Sequence, residues 1–479
     1  MQMLTYLLLP LCLLIIFPSF TKAANKTNDS HPEISVPTDS SRVLSGGGAT
    51  VFASGSNAFS LPSANIPLMQ KLDFSVGNSF FRNPWVTAPA STDARDGLGP
   101  LFNTNGCQNC HIKDGRGHAP NGPEDSAVSL LVRLSIPENT LLTKAIQQSV
   151  LPEPNYGDQL QDFAVPGVKP EGRVHIEYTP VKKILAGGEV VTLRKPIVSI
   201  VDLAYGKLHP QAQMSARIAS PMIGLGLLEA IAEKDILALA DPDDNDGDGI
   251  SGKANLVWDV SRQSLTLGRF GWKAGQPSVT QQNAAAFDGD LGITSSQFTK
   301  DHCTESQVEC LNSPNGGHPE LSDKILNFVS FYARNLAVPA RRNYTSTKVQ
   351  QGEKLFRQIG CADCHQPQWQ TAADYSLAWL AAQTIHPFTD LLLHDMGPGL
   401  ADNRPEFLAN GQEWRTPPLW GIGLTKTVNK EASFLHDGRA RNVTEAILWH
   451  GGEAEKSQNE FSLLPFAQRS MLIDFLNSL

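Results

Sequence analysis

The chain has 479 residues and the composition of a globular protein, 41% hydrophobic and 18% charged. That excludes a fibrous or wholly disordered chain and gives length for two or three domains. A net charge of -9 excludes a nucleic-acid partner, since nothing basic is left over to neutralise phosphates.

The first element is an apolar run from Leu4 to Phe20, followed by Thr21-Lys-Ala23. Small residues at 21 and 23 suit cleavage after Ala23, so residues 1–23 read as a secretory signal peptide. No Lys or Arg precedes the run, and an uncleaved membrane anchor is the rival reading. The expected location is the periplasm or another exported compartment. Residues 24–60, rich in Ser, Gly, Asn and Thr, read as a flexible leader.

Seven cysteines follow a simple arithmetic. Cys12 lies inside the apolar run. Cys107 and Cys110 stand in Cys-Gln-Asn-Cys-His111, and Cys361 and Cys364 in Cys-Ala-Asp-Cys-His365. Cys303 and Cys310 are left; an oxidising compartment would pair them, with two free thiols as the competing reading. C-x-x-C-H is the attachment pattern of c-type haem. Cysteines at i and i+3 share a helix face and reach one porphyrin, and the following His becomes the proximal iron ligand. Two Cys pairs sharing one zinc ion, or two redox dithiols, would leave both histidines unexplained.

The two motifs belong to a repeat. Leu101-Phe102 and Leu355-Phe356 each precede Gly-Cys-x-x-Cys-His by three residues, which suggests a short helix entering each attachment turn. The expected fold is mainly α: two cytochrome-c-like haem units with a partly β and irregular insertion between them. The boundaries expected are an N-terminal haem domain over 61–340 and a C-terminal cytochrome c domain over 341–479, hinged at Val338-Pro-Ala-Arg-Arg342.

Between the motifs, Arg173–Thr179 and Glu189–Leu193 alternate around Ala186-Gly-Gly188 and predict a β-hairpin. Ile223–Ala240 and Leu321–Leu336 have helical periodicity, as does Pro465–Leu476, with Phe466, Met471, Leu472 and Phe475 as its apolar face. In Asp241–Gly252, Asp244, Asp246 and Asp248 alternate before Gly249, like the start of a calcium loop. Asn255 stands where a bidentate Glu belongs, so a solvated acidic turn is the competing reading.

Further stretches carry a family resemblance: Arg95-Asp-Gly-Leu-Gly-Pro-Leu-Phe102, Asp114-Gly-Arg-Gly117, Ile223–Ile231 and Asp390-Leu-Leu-Leu-His-Asp-Met-Gly397. Arg415-Thr-Pro-Pro-Leu-Trp420, Phe434-Leu-His-Asp-Gly-Arg-Ala-Arg441 and Glu445–Glu453 continue it. Over residues 90–479 the chain resembles the bacterial di-haem oxidoreductases of peroxidase type, relatives of the di-haem cytochrome c peroxidases. The resemblance implies two unequal haems: a six-coordinate C-terminal one that receives electrons, and an N-terminal one that reduces hydrogen peroxide. An electron-donor protein or small redox carrier is the implied partner.

His111 and His365 carry over as proximal ligands. The relatives use Met or Tyr as sixth ligand of the second haem, which makes Met396 the first candidate here, with His394 and His436 as rivals. Ordinary packing is the alternative for Met396. Near the first haem, His118 and His175 are candidates for the distal position, and Glu177, Arg116 and Arg173 for acid or charge stabiliser. Trp85 and Trp272 are candidate electron relays or plain packing residues. Two other functions fit the same motifs: a non-catalytic electron-transfer cytochrome, and an oxidase that modifies a partner's side chain.

Overall fold

A computed structural model describes residues 40–123, 125, 128–137, 147 and 149–479. The apolar run and Cys12 lie outside the described residues.

Glycine, not the Leu-Phe pair, organises each half. Helix α1 (Gln70–Arg82) crosses a later helix, Asp323–Arg334, so closely that a Cβ on Gly77 would stand 2.1 Å from the Phe328 carbonyl oxygen. One turn on, Phe81 packs on Tyr332, ring centroids 5.3 Å apart, and on His111 at 6.1 Å. The second half repeats the arrangement. Gly352, on Thr347–Gln358, would place a Cβ 1.9 Å from the Met471 carbonyl oxygen of Phe466–Ser478. One turn on, Phe356 packs on Phe475 at 5.1 Å and on His365 at 6.1 Å. Only a residue without a side chain permits either approach.

The Leu101-Phe102 expectation is therefore corrected. Those two residues form strand β1 (Leu101–Phe102), after which come the attachment helix α2 (Cys107–Cys110) and β2 (Leu130–Ser135). Strand β1 pairs with β3 (Phe163–Ala164), where Phe102 stacks on Phe163 at 5.9 Å. The role of Phe356 falls in the first half to Phe81, from a helix 25 residues upstream of the motif.

The middle segment supplies the β structure. Strands β4 (Arg173–Ile184) and β5 (Val190–Val201) form the expected hairpin, longer than predicted, turning through Gly187 and Gly188, both at positive φ. Its tip reaches the C-terminal half, where Ala186 N donates to Ser462 O (2.8 Å) and Arg469 pairs with Glu189 (2.5 Å). Strand β6 (Gln213–Ile218) pairs with β2 over six residues. The predicted helix 223–240 is two short ones, Leu225–Glu229 and Glu233–Leu237, with Ile231 between them bridged to Thr371. Overall the fold is 28% helix and 18% strand, mainly helical and irregular, with every sheet two-stranded among the described residues.

The later helices are α3 (Val279–Leu291), α4 (Asp323–Arg334), α5 (Thr347–Gln358) and α6 (Cys361–Cys364). After strands β7 (Leu393–Asp395) and β8 (Glu413–Arg415) come α7 (Val443–Trp449), α8 (Glu455–Leu463) and α9 (Phe466–Ser478). On α9, Leu472 and Phe475 are buried but Phe466 is exposed, because it lies in the first turn, beyond the crossing with α5.

Two sequence readings of connecting chain change. Residues 40–60 are packed rather than free: Ala49, Ala58 and Phe59 are buried, and Val51 forms a parallel bridge to Pro339. The expected hinge at 338–342 is buried at Val338, Ala340 and Arg341. Arg341 and Arg42 both pair with Glu353, whose carboxyl stays below its usual range because the two guanidiniums outweigh its burial.

Candidate functional site

The two C-x-x-C-H motifs adopt the same local form. Each Cys pair begins and ends one helical turn, α2 or α6, and the histidine follows as the cap. Nδ1 of His111 donates to Ser220 O (2.7 Å), and Nδ1 of His365 donates to Phe388 O (2.9 Å). A carbonyl only accepts, so the proton lies on Nδ1 and Nε2 keeps its lone pair. Burial lowers both imidazoles to about 4, so they are neutral, the form that binds a metal. Burial pushes the Cys107 and Cys361 thiols up to about 12, the reverse of what a redox dithiol needs.

The first motif opens onto a cavity of about 1050 Å³. Cys107, Cys110 and His111 line one part of it, with Phe81, Met222 and Phe287. Two buried arginines, Arg116 and Arg415, also line it, and neither forms a salt bridge among the described residues, although the Asp390 carboxylate acts on Arg415. Arg116 Nε and Nη1 have no hydrogen-bond partner there. Burial lowers each guanidinium to about 10, Arg116 also through Arg415 beside it. Buried cations without counter-ions are costly and rare. They fit an anionic group in the cavity, as two haem propionates would be.

A second charged cluster lines the same cavity. His302 Nε2 meets Asp288 at 2.6 Å, and its Nδ1 faces Asp158 at 3.8 Å. The carboxylates outweigh burial and raise His302 to about 9. Cys303, the next residue, is disulfide-bonded to Cys310.

The remaining sequence candidates divide. Arg116 and Trp272 line the cavity; His118, His175, Glu177 and Arg173 do not. His118 faces Ser129 Oγ at 3.4 Å, His175 pairs with Glu177 on β4, and Arg173 pairs with Asp202 in solvent. Trp272 donates to Ile218 O and lies between Arg116 and His436. Trp85 packs edge-on against Phe287 at 5.3 Å.

At the second motif, His394 lies 3.5 Å from Cys364 Sγ, held by Asp390 at 2.7 Å and Glu453 at 2.6 Å. His436 stacks on Trp414 at 3.6 Å. Met396 is partly buried against the apolar cluster of Phe356, Phe388 and Phe475. Asp244, Asp246 and Asp248 bring carboxylate oxygens within 4.8 Å of one another, all exposed. Asn255 is turned inward, donating to Lys273 O at 2.7 Å and fully buried.

Compared with protein families, residues 40–479 match the one described as "Di-haem oxidoreductase, putative peroxidase". The chain belongs to the di-haem oxidoreductase family. Two haems are thus implied, and the paired thiols, the two Nε2 lone pairs and the unsatisfied guanidinium nitrogens of Arg116 suit such groups. No curated protein matches the chain. Among solved structures, a chain of Kuenenia stuttgartiensis hydrazine synthase, in a crystal pressurised with xenon, is similar at 18% identity and a TM-score of 0.24. The match covers 37% of this di-haem oxidoreductase and 63% of that chain, and a likeness so weak carries no argument.

Sequence reasoning missed His302, Asp288 and the pairing of Arg415 with Arg116. Arg415 lay within a quoted motif; nothing local marks His302.

Proposed function

We propose that this di-haem oxidoreductase is an exported peroxidase that reduces hydrogen peroxide at the first motif with electrons received through the second. In this reading Cys107 and Cys110 hold one c-type haem, Cys361 and Cys364 the other, and His111 and His365 are the proximal ligands. The observation that carries it is the cavity at the first motif: a space for substrate, two buried arginines without salt bridges and a protonated histidine share its wall.

The overall step is H2O2 + 2 e− + 2 H+ → 2 H2O, the electrons coming from a donor protein or small redox carrier. A haem iron with a free position supplies the redox chemistry when bound. The chain's own residues do the rest. Arg116 and Arg415 hold negative charge from buried positions, where a fixed cation acts more strongly than in water. His302, protonated at neutral pH, carries a proton on Nδ1 at the wall, and Asp288 fixes its ring. Trp272 joins Arg116 to the His436–Trp414 stack, an aromatic path toward the second half.

Export is supported by the apolar run Leu4–Phe20 and by the Cys303–Cys310 disulfide, which suits an oxidising compartment. No helix among the described residues is long and apolar enough to cross a membrane. Asp244, Asp246 and Asp248 are assigned in the same reading to a calcium ion. Steady-state peroxide consumption with a reduced donor tests the function. Turnover lost in both C107A/C110A and C361A/C364A is expected. Full turnover without the first pair overturns the reading, and no turnover in a chain loaded with both haems leaves an electron carrier.

A further inference from the structure

Three histidines among the described residues donate Nδ1–H to a backbone carbonyl. Two are His111 and His365; the third is His450, whose Nδ1 donates to Ala446 O at 2.8 Å. The partner fixes the tautomer, so His450 Nε2 also carries a lone pair, and it has no partner among the described residues. Burial keeps the ring neutral by lowering its proton affinity. Nothing in the sequence around His450 resembles C-x-x-C.

Its position is fixed from both sides. Gly452 lies so close to β7 that a Cβ would stand 2.2 Å from Asp395 O, clamping the chain after His450 onto that strand. Glu453, three residues on, binds His394 Nδ1 at 2.6 Å and accepts from Asp395 N at 3.0 Å. His394 in turn lies against Cys364 Sγ. Further on, Ser457 Oγ comes within 2.9 Å of where a Cβ on Gly360, the cap of α6, would stand. The segment 450–457 therefore flanks the second attachment helix.

The rivals offer less. Both nitrogens of His394 are engaged by carboxylates, so it has no lone pair to give. His436 lies flat on Trp414, with Nε2 3.7 Å from Asp437. Met396 packs against the apolar cluster of the second half, whereas His450 Nε2 has no protein partner among the described residues.

We propose that His450 Nε2 is the second axial ligand of the haem attached at Cys361 and Cys364. This rests on the reading that a haem is attached there. It makes that haem bis-histidine and closed, whereas Met ligation would raise its potential. The first haem then differs by having one histidine of this type.

The test is optical and EPR spectroscopy of the purified, haem-loaded full chain, with intact mass to count haems. Wild type and M396L are expected to show the same low-spin ferric signal and no methionine-to-iron charge-transfer band. H450M should gain that band. H450A should lose the low-spin signal of the second haem and recover it with added imidazole. A band in the wild type that M396L abolishes, or an H450A spectrum identical to wild type, overturns the assignment while leaving the two-haem reading intact. A mass lacking haem on Cys361 and Cys364 overturns both.

Discussion

Replacing Gly352 by alanine tests the helix crossing that carries the second site. The new methyl would stand 1.9 Å from Met471 O and 2.6 Å from its carbonyl carbon. Alanine favours a helix interior over glycine by about 1 kcal/mol. Overpacking typically costs about 1–3 kcal/mol, and here the obstacle is mid-helix backbone, which cannot rotate aside. Parting the helices also disturbs the Phe356–Phe475 contact, an aromatic pair worth about 1 kcal/mol. The net expectation is a loss of about 1–3 kcal/mol, read as a lower midpoint in urea unfolding followed by haem absorbance and far-UV circular dichroism. Gly55→Ala is the control: nothing lies within 4 Å of its Cβ position, so its midpoint should stay put. A G352A protein as stable as wild type or more so would refute the close crossing, since propensity alone would then decide the sign.

Arg116→Gln should act with opposite signs in two backgrounds. In C107A/C110A it removes an uncompensated buried cation and should be neutral or stabilising; in the haem-loaded chain it should cost about 1–3 kcal/mol, and equal effects in both would sink the propionate assignment. His302 is raised to about 9 from 6.5, so its contribution is complete below about pH 6.5 and is lost as pH rises through 9. Burial pushes the Asp288 carboxyl up even beside His302, so the pair's net worth is less than His302 alone suggests, about 1–2 kcal/mol. Urea unfolding at pH 6 and pH 9.5 should therefore show a larger loss in wild type than in H302Q, and parallel losses would refute it. For the Asp244–Asp248 loop, calcium at about 100 times its dissociation constant should add about 2.7 kcal/mol, abolished by chelator or by Asp246→Asn. A melting temperature indifferent to calcium and chelator removes that site.

What could be read from the sequence was whatever depends on neighbours in the chain. The attachment motifs, the hairpin turn at Gly187-Gly188 and the amphipathic helix ending at Arg334 all have local signatures. The Leu-Phe repeat misled because matching spacing does not guarantee matching structure. The residues that do correspond, Gly77 with Phe81 and Gly352 with Phe356, share their internal spacing but stand at different distances from their cysteines. The residues named as a hinge, Val338-Pro-Ala-Arg-Arg342, combine a proline with two arginines and give no local hint that residues 40–60 cover them. His302 and His450 were illegible for a deeper reason. A histidine's role follows from what faces its two nitrogens: Asp288 is brought to His302 by the fold, and although Ala446 O is one helical turn from His450, the attachment helix that its segment flanks is distant in sequence.

Low-temperature EPR of the oxidised and the half-reduced protein, before and after one equivalent of hydrogen peroxide, tests the unequal-haem peroxidase most directly. Two ferric centres per chain are expected, one of them high-spin or becoming so when the other is reduced, with only that signal abolished by peroxide. Two low-spin signals, indifferent to peroxide in both states, would contradict it.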